Sequence, residues 1–265
     1  MEENVLASSH MTIPQIARML EKDNVSPELL AALQSDDRIA VARLLAKWRK
    51  RQEERAREYE RVQSLYLYES VFYEQGLDLI AGVDEAGRGP LAGPVVVAAV
   101  ILPKRQHLPM LNDSKKLSPH QRSLLYEKII GTAVAVNHVV IPVCQIDSMN
   151  IYQATLQGMY RVLENLSPKP QVALIDAMPL RKIVLPHMSI INGDALSASI
   201  AAASIVAKVV RDRYMDEMDV LYPGYGFAKH KGYATPEHLA ALRRLGPCPI
   251  HRRSFEPIKS WGGLG

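Results

Sequence analysis

The stretch LIAGVDEAGRGPLAGPVVVAAV, residues 79–100, decides how the rest of the chain is read. An apolar run (Leu79, Ile80, Val83) ends in two adjacent carboxylates, Asp84 and Glu85. A Gly-Arg-Gly turn follows, and then a second apolar run from Val95 to Leu102. The pattern predicts strand, acidic turn, strand. Neighbouring strand residues point to opposite faces, so both carboxylates serve one site only if the chain turns there, which Gly87 and Gly89 permit at low steric cost. Taken alone, Asp-Glu-x-Gly-x-Gly fits a solvated hairpin tip equally well.

With 265 residues, 48% of them apolar, the chain can form one large domain, or an ordinary domain plus an extension, with a real core. Its two cysteines, Cys144 and Cys248, make neither a metal-ligand spacing nor a disulfide framework, which fits a reducing cytoplasm. No apolar run approaches the ~18 residues of a membrane span, and MEENVLASSHM has no basic segment followed by an apolar one. A cytoplasmic protein without membrane attachment is expected. The net charge of +4 is unevenly placed: residues 1–76 hold 11 Lys/Arg against 13 Asp/Glu, and residues 77–265 hold 21 against 15. The basic excess sits with the motifs, as in a nucleic-acid binder, although many soluble proteins are as basic.

Residues 1–76 read as a helical extension. Thr12-Ile13-Pro14-Gln15 has a hydroxyl cap, a proline in the first turn and a reciprocal Gln15, with Ile13, Ile16, Ala17 and Leu20 on one face. Ser26-Pro27 opens a second short helix. A third, highly charged helical stretch runs from about Asp37 to Gln75, and Gly76 stops it. Its segment from Lys47 to Arg61 holds seven basic and four acidic residues, many spaced to pair at i, i+4. That segment suits either a helix laid along a nucleic-acid backbone or a solvated face.

From residue 77 to 265 strands and helices alternate. A loop at Asn112-Asp113-Ser114-Lys115-Lys116 leads to a helix opening at Ser118-Pro119 with Gln121 as reciprocal cap, and a β-rich run follows from Ala133 to Val143. Residues 150–166 are an amphipathic helix, and Met149, just before it, recurs with Tyr152, Met159 and Tyr160 at helical spacing, a set read as core. Val172 to Ile175 form a short buried strand ending in Asp176, and Ser189 to Ile191 are extended. Gly193-Asp194 precede a long Ala-rich helix reaching about Asp219, and another helix starts near Pro236. The order argues for α/β architecture, a mixed β-sheet covered by helices. Asp176 could be a turn residue, and Asp194 is a good N-cap.

The run Asp84-Glu85-Ala86-Gly87-Arg88-Gly89-Pro90-Leu91-Ala92-Gly93-Pro94 resembles the N-terminal motif of bacterial ribonuclease HII, the type 2 ribonuclease H. Further blocks match in order: Asp113-Ser114-Lys115-Lys116-Leu117, then Gly193-Asp194 with Ser199 to Asp212 (SIAAASIVAKVVRD), then Tyr225-Gly226-Phe227 and Lys231-Gly232-Tyr233. The resemblance spans about residues 77 to 258. Arg88 and the PLAGP run favour this family over its sister, ribonuclease HIII. One departure stands beside Asp176, where Ala177-Met178 replace an often-expected glycine. A ribonuclease H-like mixed sheet flanked by helices is implied.

By the same resemblance Asp84, Glu85, Asp176 and Asp194 are the catalytic and metal-binding acids. Four converging carboxylates repel one another unless cations sit between them, and hard oxygen donors select Mg²⁺ or Mn²⁺ over zinc. Two such ions roughly 3.5 to 4 Å apart suit in-line phosphodiester hydrolysis. Asp84 is expected to be shared between them, Asp194 to serve the ion on the water side, and Glu85 and Asp176 to complete the other.

A nuclease that ignores DNA must read the 2′-hydroxyl. The family does so through the turn matching Gly87-Arg88-Gly89 and the tyrosine matching Tyr233, at the junction where a ribonucleotide is followed by DNA. Ser114, Lys115 and Lys208 join these as substrate contacts. Lys116, Arg211, Lys229 and Lys231 are further phosphate candidates, each equally readable as a surface charge. His230, His238 and His251 show no ligand pattern. The implied activity is endonucleolytic hydrolysis of the RNA strand of RNA–DNA hybrids, with cutting 5′ of single ribonucleotides in duplex DNA, by a monomer leaving 5′-phosphate and 3′-hydroxyl ends. Ribonucleotide removal from DNA and primer clearance are the expected roles. A resolvase-like or integrase-like nuclease on the same fold, or a non-catalytic hybrid binder, explains less: the first does not call for Arg88 and Tyr233, and the second does not need all four acids.

Overall fold

The computed structural model describes residues 11–21 and 25–261. Two compact units divide between Arg61 and Val62. In the first, α1 (Ile13–Glu21), α2 (Pro27–Gln34) and α3 (Ile39–Ser64, which passes the division) enclose a small core of Ile16, Leu20, Leu33, Val41 and Leu45. The starts of these helices follow local chemistry. Gln15 Oε1 accepts from the Thr12 amide at 2.8 Å, and Ser26 Oγ accepts from the Leu29 amide at 3.2 Å.

The second unit is built on a five-stranded sheet in the order β3-β2-β1-β4-β5. Its strands are β1 (Ile80–Ala86), β2 (Val95–Ile101), β3 (Ala135–Ile141), β4 (Val172–Asp176) and β5 (His187–Ile190). β1, β2 and β3 pair antiparallel in sequence order, whereas β1–β4 and β4–β5 are parallel. This is the helix-covered mixed sheet expected from the order of elements. Among the described residues no helix is long and apolar enough to cross a membrane.

Strand alternation sends each face of the sheet to its own core. Ile80, Val96, Ala98, Val100, Val172 and Leu174 face α9 (Ala198–Leu221), together with Leu125 and Ile129 of α5 (Pro119–Thr132). Ala81, Val83, Val97, Ala99 and Ile175 face α6 (Val143–Met149) and α7 (Ile151–Glu164). One-turn helices precede and follow α9: α8 (Gly193–Leu196) and α10 (Phe227–His230). α11 (Pro236–Leu245) and α12 (Ile258–Trp261) are the last helices of the described residues.

Several details depart from the sequence reading. The ladder with β2 continues to Ala86↔Val96, so Asp84 and Glu85 lie inside β1 and the turn begins only at Gly87, where φ is +95°. The first compact unit ends at Arg61, and residues 62–76, read with the extension in the sequence, belong to the second unit. The last turn of α3 and α4 (Leu67–Tyr73) place Val62, Leu65, Tyr66 and Tyr73 in the core with Ile80 and Leu102, so the helical run breaks at residues 65–66 to bring them there. Pro142 ends the β run and opens α6, a helix the sequence reading left unassigned. Tyr152, read as core, is 40% exposed, while Met159 is fully buried.

At Gly82, β1 and α9 come into close backbone contact. A Cβ added to Gly82 would stand 1.9 Å from the backbone carbon of Ser199 and 2.2 Å from the Ile200 amide nitrogen. Backbone touches backbone there, and the neighbouring alanines Ala198, Ala201, Ala202 and Ala203 keep the helix close to the sheet over the following turn. Gly82→Ala therefore must push α9 off the strand, and we expect it to lower stability by about 3 kcal/mol or more. A denaturant midpoint equal to wild type would refute this packing. Ala177, at the Asp176 departure, sits at φ +50°. Ala177→Gly should relieve that left-handed strain and raise stability by up to about 1 kcal/mol, read as a higher midpoint with unchanged slope.

Candidate active site

Parallel pairing of β1 with β4 matches Val83 with Ile175, so the next residues along the two strands are Asp84 and Asp176. Both share parity with the residues that face α9, and both stand at carboxyl ends of parallel strands, the usual crevice for ligands in such sheets. Asp84 is buried. Its Oδ1 accepts from the Glu85 amide at 2.6 Å, and the hydroxyl of Ser204 on α9 also hydrogen-bonds its carboxylate. Ser204 Oγ lies 2.9 Å from Ser114 Oγ, which ties the carboxylate to the Asp113-Ser114-Lys115 loop.

Asp194 is carried by α8, the single turn just before α9. Asn192, in the left-handed region, is the N-cap residue of α8, so Asp194 lies in the first turn and its side chain is not the cap. Its Oδ2 instead faces Lys115 Nζ at 3.3 Å. The loop closes on β4, where the Gly193 amide donates to Asp176 Oδ1 at 2.7 Å. Glu85 has the opposite strand parity, yet at the end of β1 its Oε1 pairs with Arg88 Nη1 at 3.3 Å. Its Oε2 is buried without a hydrogen-bond partner among the described residues.

A cleft of about 410 Å³ adjoins these acids, and Glu85 forms part of its wall. The structure brings every expected substrate contact to this cleft: Gly87, Arg88, Gly89, Ser114, Lys115, Lys208 and Tyr233. Of the other phosphate candidates Arg211 lines it, whereas Lys116, Lys229 and Lys231 do not. Lys229 pairs with Glu237 and Lys231 with Asp216.

The electrostatics follow from this crowding. Burial, then Glu85 and Asp176, push Asp84 well above the ordinary carboxylate range. Burial raises Glu85, partly offset by Arg88, and burial together with Asp194 raises Asp176. Burial pulls Lys115 down, but Asp194 and Asp113 more than offset it. The donor set fits hard divalent cations: all-oxygen, mutually repelling, and with an orphaned Glu85 oxygen. As the side chains stand, no three His, Cys, Asp or Glu groups among the described residues form a ready-made ligand cage.

Three contributors escaped the sequence reading. Ser204, Lys208 and Arg211 form one polar stripe at i, i+4, i+7 on an otherwise Ala/Ile/Val helix, a signal that could have found Ser204. Arg122 lines the cleft and, with Lys208, holds Asp212. Arg252, fully buried, donates to the carbonyls of Gly87 (2.5 Å), Arg88 (2.8 Å) and Gly93 (2.8 Å), and fixes the Gly-Arg-Gly turn from behind. Arg211 holds the same segment through Pro94 and Ala92.

Comparison with known proteins identifies the family. The sequence signature of ribonuclease HII matches residues 81–258, and that of the ribonuclease HII N-terminal domain matches residues 12–73. A ribonuclease HII of Geobacillus thermodenitrificans is 49% identical over 254 residues, covering 96% of this chain and 98% of the relative. One of Pelotomaculum thermopropionicum is 46% identical over 257 residues, covering 96% and 97%. Among solved structures, the ribonuclease H2 of Pyrococcus horikoshii OT3 superposes with a TM-score of 0.59 at 27% identity, covering 68% of this chain and 95% of that one. With the acids on adjacent strand ends and the matched signature spanning both them and the cleft, the chain belongs to the ribonuclease HII family and is a ribonuclease H, an endonuclease that hydrolyses phosphodiester bonds.

Proposed function

We propose that this enzyme cuts the RNA strand of RNA–DNA hybrids and cuts immediately 5′ of single ribonucleotides embedded in duplex DNA, leaving 5′-phosphate and 3′-hydroxyl ends. The observation that carries this reading is the placement of Gly87, Arg88, Gly89 and Tyr233 on one cleft wall beside Glu85. A Cβ on Gly89 would be only 3.7 Å from Tyr233 Cε1, so the turn and the ring nearly touch. Backbone groups there can approach a 2′-hydroxyl closely, and the ring, 46% exposed, offers a face to the next sugar. Lys115, Lys208 and Arg211 supply positive charge for the phosphates without reading sequence. Ribonucleotide removal and primer clearance follow as roles, and a monomer suffices because every group invoked comes from one chain.

Asp84, Glu85, Asp176 and Asp194 would hold Mg²⁺ or Mn²⁺. Bound there, two divalent ions would supply the Lewis acidity for attack of water at phosphorus and for departure of the 3′-oxygen. Arg88 and Lys115 moderate the carboxylate repulsion at Glu85 and Asp194, and Ser204 orients Asp84. The two units are read as a helical N-terminal extension and a ribonuclease H-like catalytic domain, with the extension available for duplex contact.

The test is cleavage of a labelled duplex bearing one ribonucleotide, beside an all-DNA duplex and a uniform hybrid. Wild type should cut 5′ of the ribonucleotide and leave all-DNA intact, and chelation should stop it. Asp84→Asn should lower kcat by at least about 10²-fold. Cutting of hybrid alone would remove the junction reading.

The raised acids also make a stability statement. A carboxyl whose folded pKa lies above its unfolded value binds more protons when folded, so stability falls as pH rises through the window from the ordinary carboxylate value to the raised one. In chelated protein that penalty is absent below the ordinary carboxylate range and grows as pH rises above it. Asp84→Asn should therefore raise Tm of the chelated enzyme at pH 7, with the gain shrinking towards pH 4. A lower Tm at pH 7 would contradict the electrostatic assignment.

A further inference from the structure

Behind the cleft wall that carries Tyr233, three buried imidazoles surround Phe227. His230 and His238 stack with centroids 4.3 Å apart, and His251 lies 5.3 Å from His238. None of the chemistry above uses them, yet their hydrogen bonds leave one consistent arrangement of protons. His238 Nδ1 is 2.8 Å from the Tyr233 carbonyl, which only accepts, so Nδ1 carries the proton. His238 Nε2 then accepts from His251 Nε2 at 3.0 Å. His251 Nδ1 in turn accepts from the Cys248 amide at 2.9 Å, with the Cys248 thiol at 3.1 Å. A carbonyl at one end and an amide at the other impose the same direction on the whole chain.

His230 is fixed the same way. Its Nε2 donates to the Tyr225 carbonyl at 2.8 Å and its Nδ1 accepts from the Gly232 amide at 3.2 Å. The Tyr233 amide donates to the His230 carbonyl at 2.9 Å. The Gly232 amide and both backbone groups of Tyr233 are therefore held by His230 and His238. Burial brings His238 and His251 down to about 4, so both rings are neutral at neutral pH, as this chain requires: an imidazolium would set N–H against N–H.

The segment holding His251 also ends in Arg252, whose guanidinium grips the carbonyls of Gly87, Arg88 and Gly93. One stretch, residues 248–252, thus reaches Tyr233 through two imidazoles and the Gly-Arg-Gly turn through one guanidinium. We propose that His230, His238, His251 and Arg252 are positioning residues that set the spacing between the Gly-Arg-Gly turn and the Tyr233 ring, and through it the selection of a ribonucleotide followed by DNA. The proposal rests on the junction reading of Tyr233 given above.

The experiment compares kcat/KM on a single-ribonucleotide duplex and on a uniform RNA–DNA hybrid for wild type, Tyr233→Ala, His238→Gln and His238→Asn. The Asn amide can replace the Nδ1 donor to the Tyr233 carbonyl, whereas the Gln amide falls at the Nε2 position and cannot. His238→Gln should lower the single-ribonucleotide-to-hybrid ratio about tenfold, as Tyr233→Ala does, while His238→Asn stays within about threefold of wild type. A folded His238→Gln enzyme with the wild-type ratio overturns the proposal, as does an equal loss on both substrates in both His238 variants. An unchanged ratio in Tyr233→Ala overturns the junction reading itself and the proposal with it. Should the variants not fold, imidazole ¹⁵N shifts of the wild-type enzyme decide: Nδ1–H at His238 with Nε2–H at His230 and His251 supports the proposal, and Nε2–H at His238 overturns it.

Discussion

The close approach of β1 to α9 at Gly82 is the constraint on which the site depends. With Ser199 backbone against a residue that has no side chain, Ser204, Lys208 and Arg211 fall one, two and three turns further along the same helix. That spacing brings a hydroxyl to Asp84, and it puts two cations on the cleft. Glu69, fully buried on α4, secures the start of the same helix, its Oε1 accepting from Ser197 Oγ at 2.6 Å and the Ser199 amide at 2.9 Å. A carboxylate at a helix N-terminus meets both free amides and the favourable end of the helix dipole. Asp194 precedes that start by only a few residues, so anchoring α9 also limits where Asp194 can lie.

The site pairs two kinds of uncompensated charge. On the strand ends, carboxylates crowd together at a cost in stability that cations can offset. Against the segment that follows Asp84 and Glu85, Arg211 and Arg252 are buried with only neutral carbonyls as hydrogen-bond partners among the described residues, and burial lowers both, Arg252 to about 9. Carbonyls of a turn are weak compensation for a guanidinium, but each arginine gathers several at fixed angles. The gain is shape. Gly87 at φ +95° packs against Arg211 so closely that an added Cβ would lie 2.0 Å from its Nε.

What the sequence discloses and what it hides divide by range. Capping at Ser26 and Ser118, the strand ending in Asp176 and the long Ala-rich helix are signals within a few residues, and they appear where expected. The adjacency of Asp84 and Asp176 depends on parallel pairing of strands some ninety residues apart, which no local pattern encodes, and the family resemblance supplied it instead. The strand extension through Glu85 was missed because a glycine turn close by looks like the end of pairing. Buried arginines left little trace either: Arg211 reads as a phosphate candidate or a surface charge and Arg252 carries no signal of its own, since burial against carbonyls has no sequence period. Ala177, conspicuous only as a missing glycine, proved to occupy a backbone conformation glycine favours.

The claim on which the chemistry stands is that Asp84, Glu85, Asp176 and Asp194 make one divalent-cation site. Anomalous scattering from crystals soaked in Mn²⁺ measures this directly. Peaks within ligand distance of those four carboxylates, lost in Asp84→Asn crystals, are the expected result. Strong peaks elsewhere in an active enzyme, with nothing between β1 and β4, would contradict it.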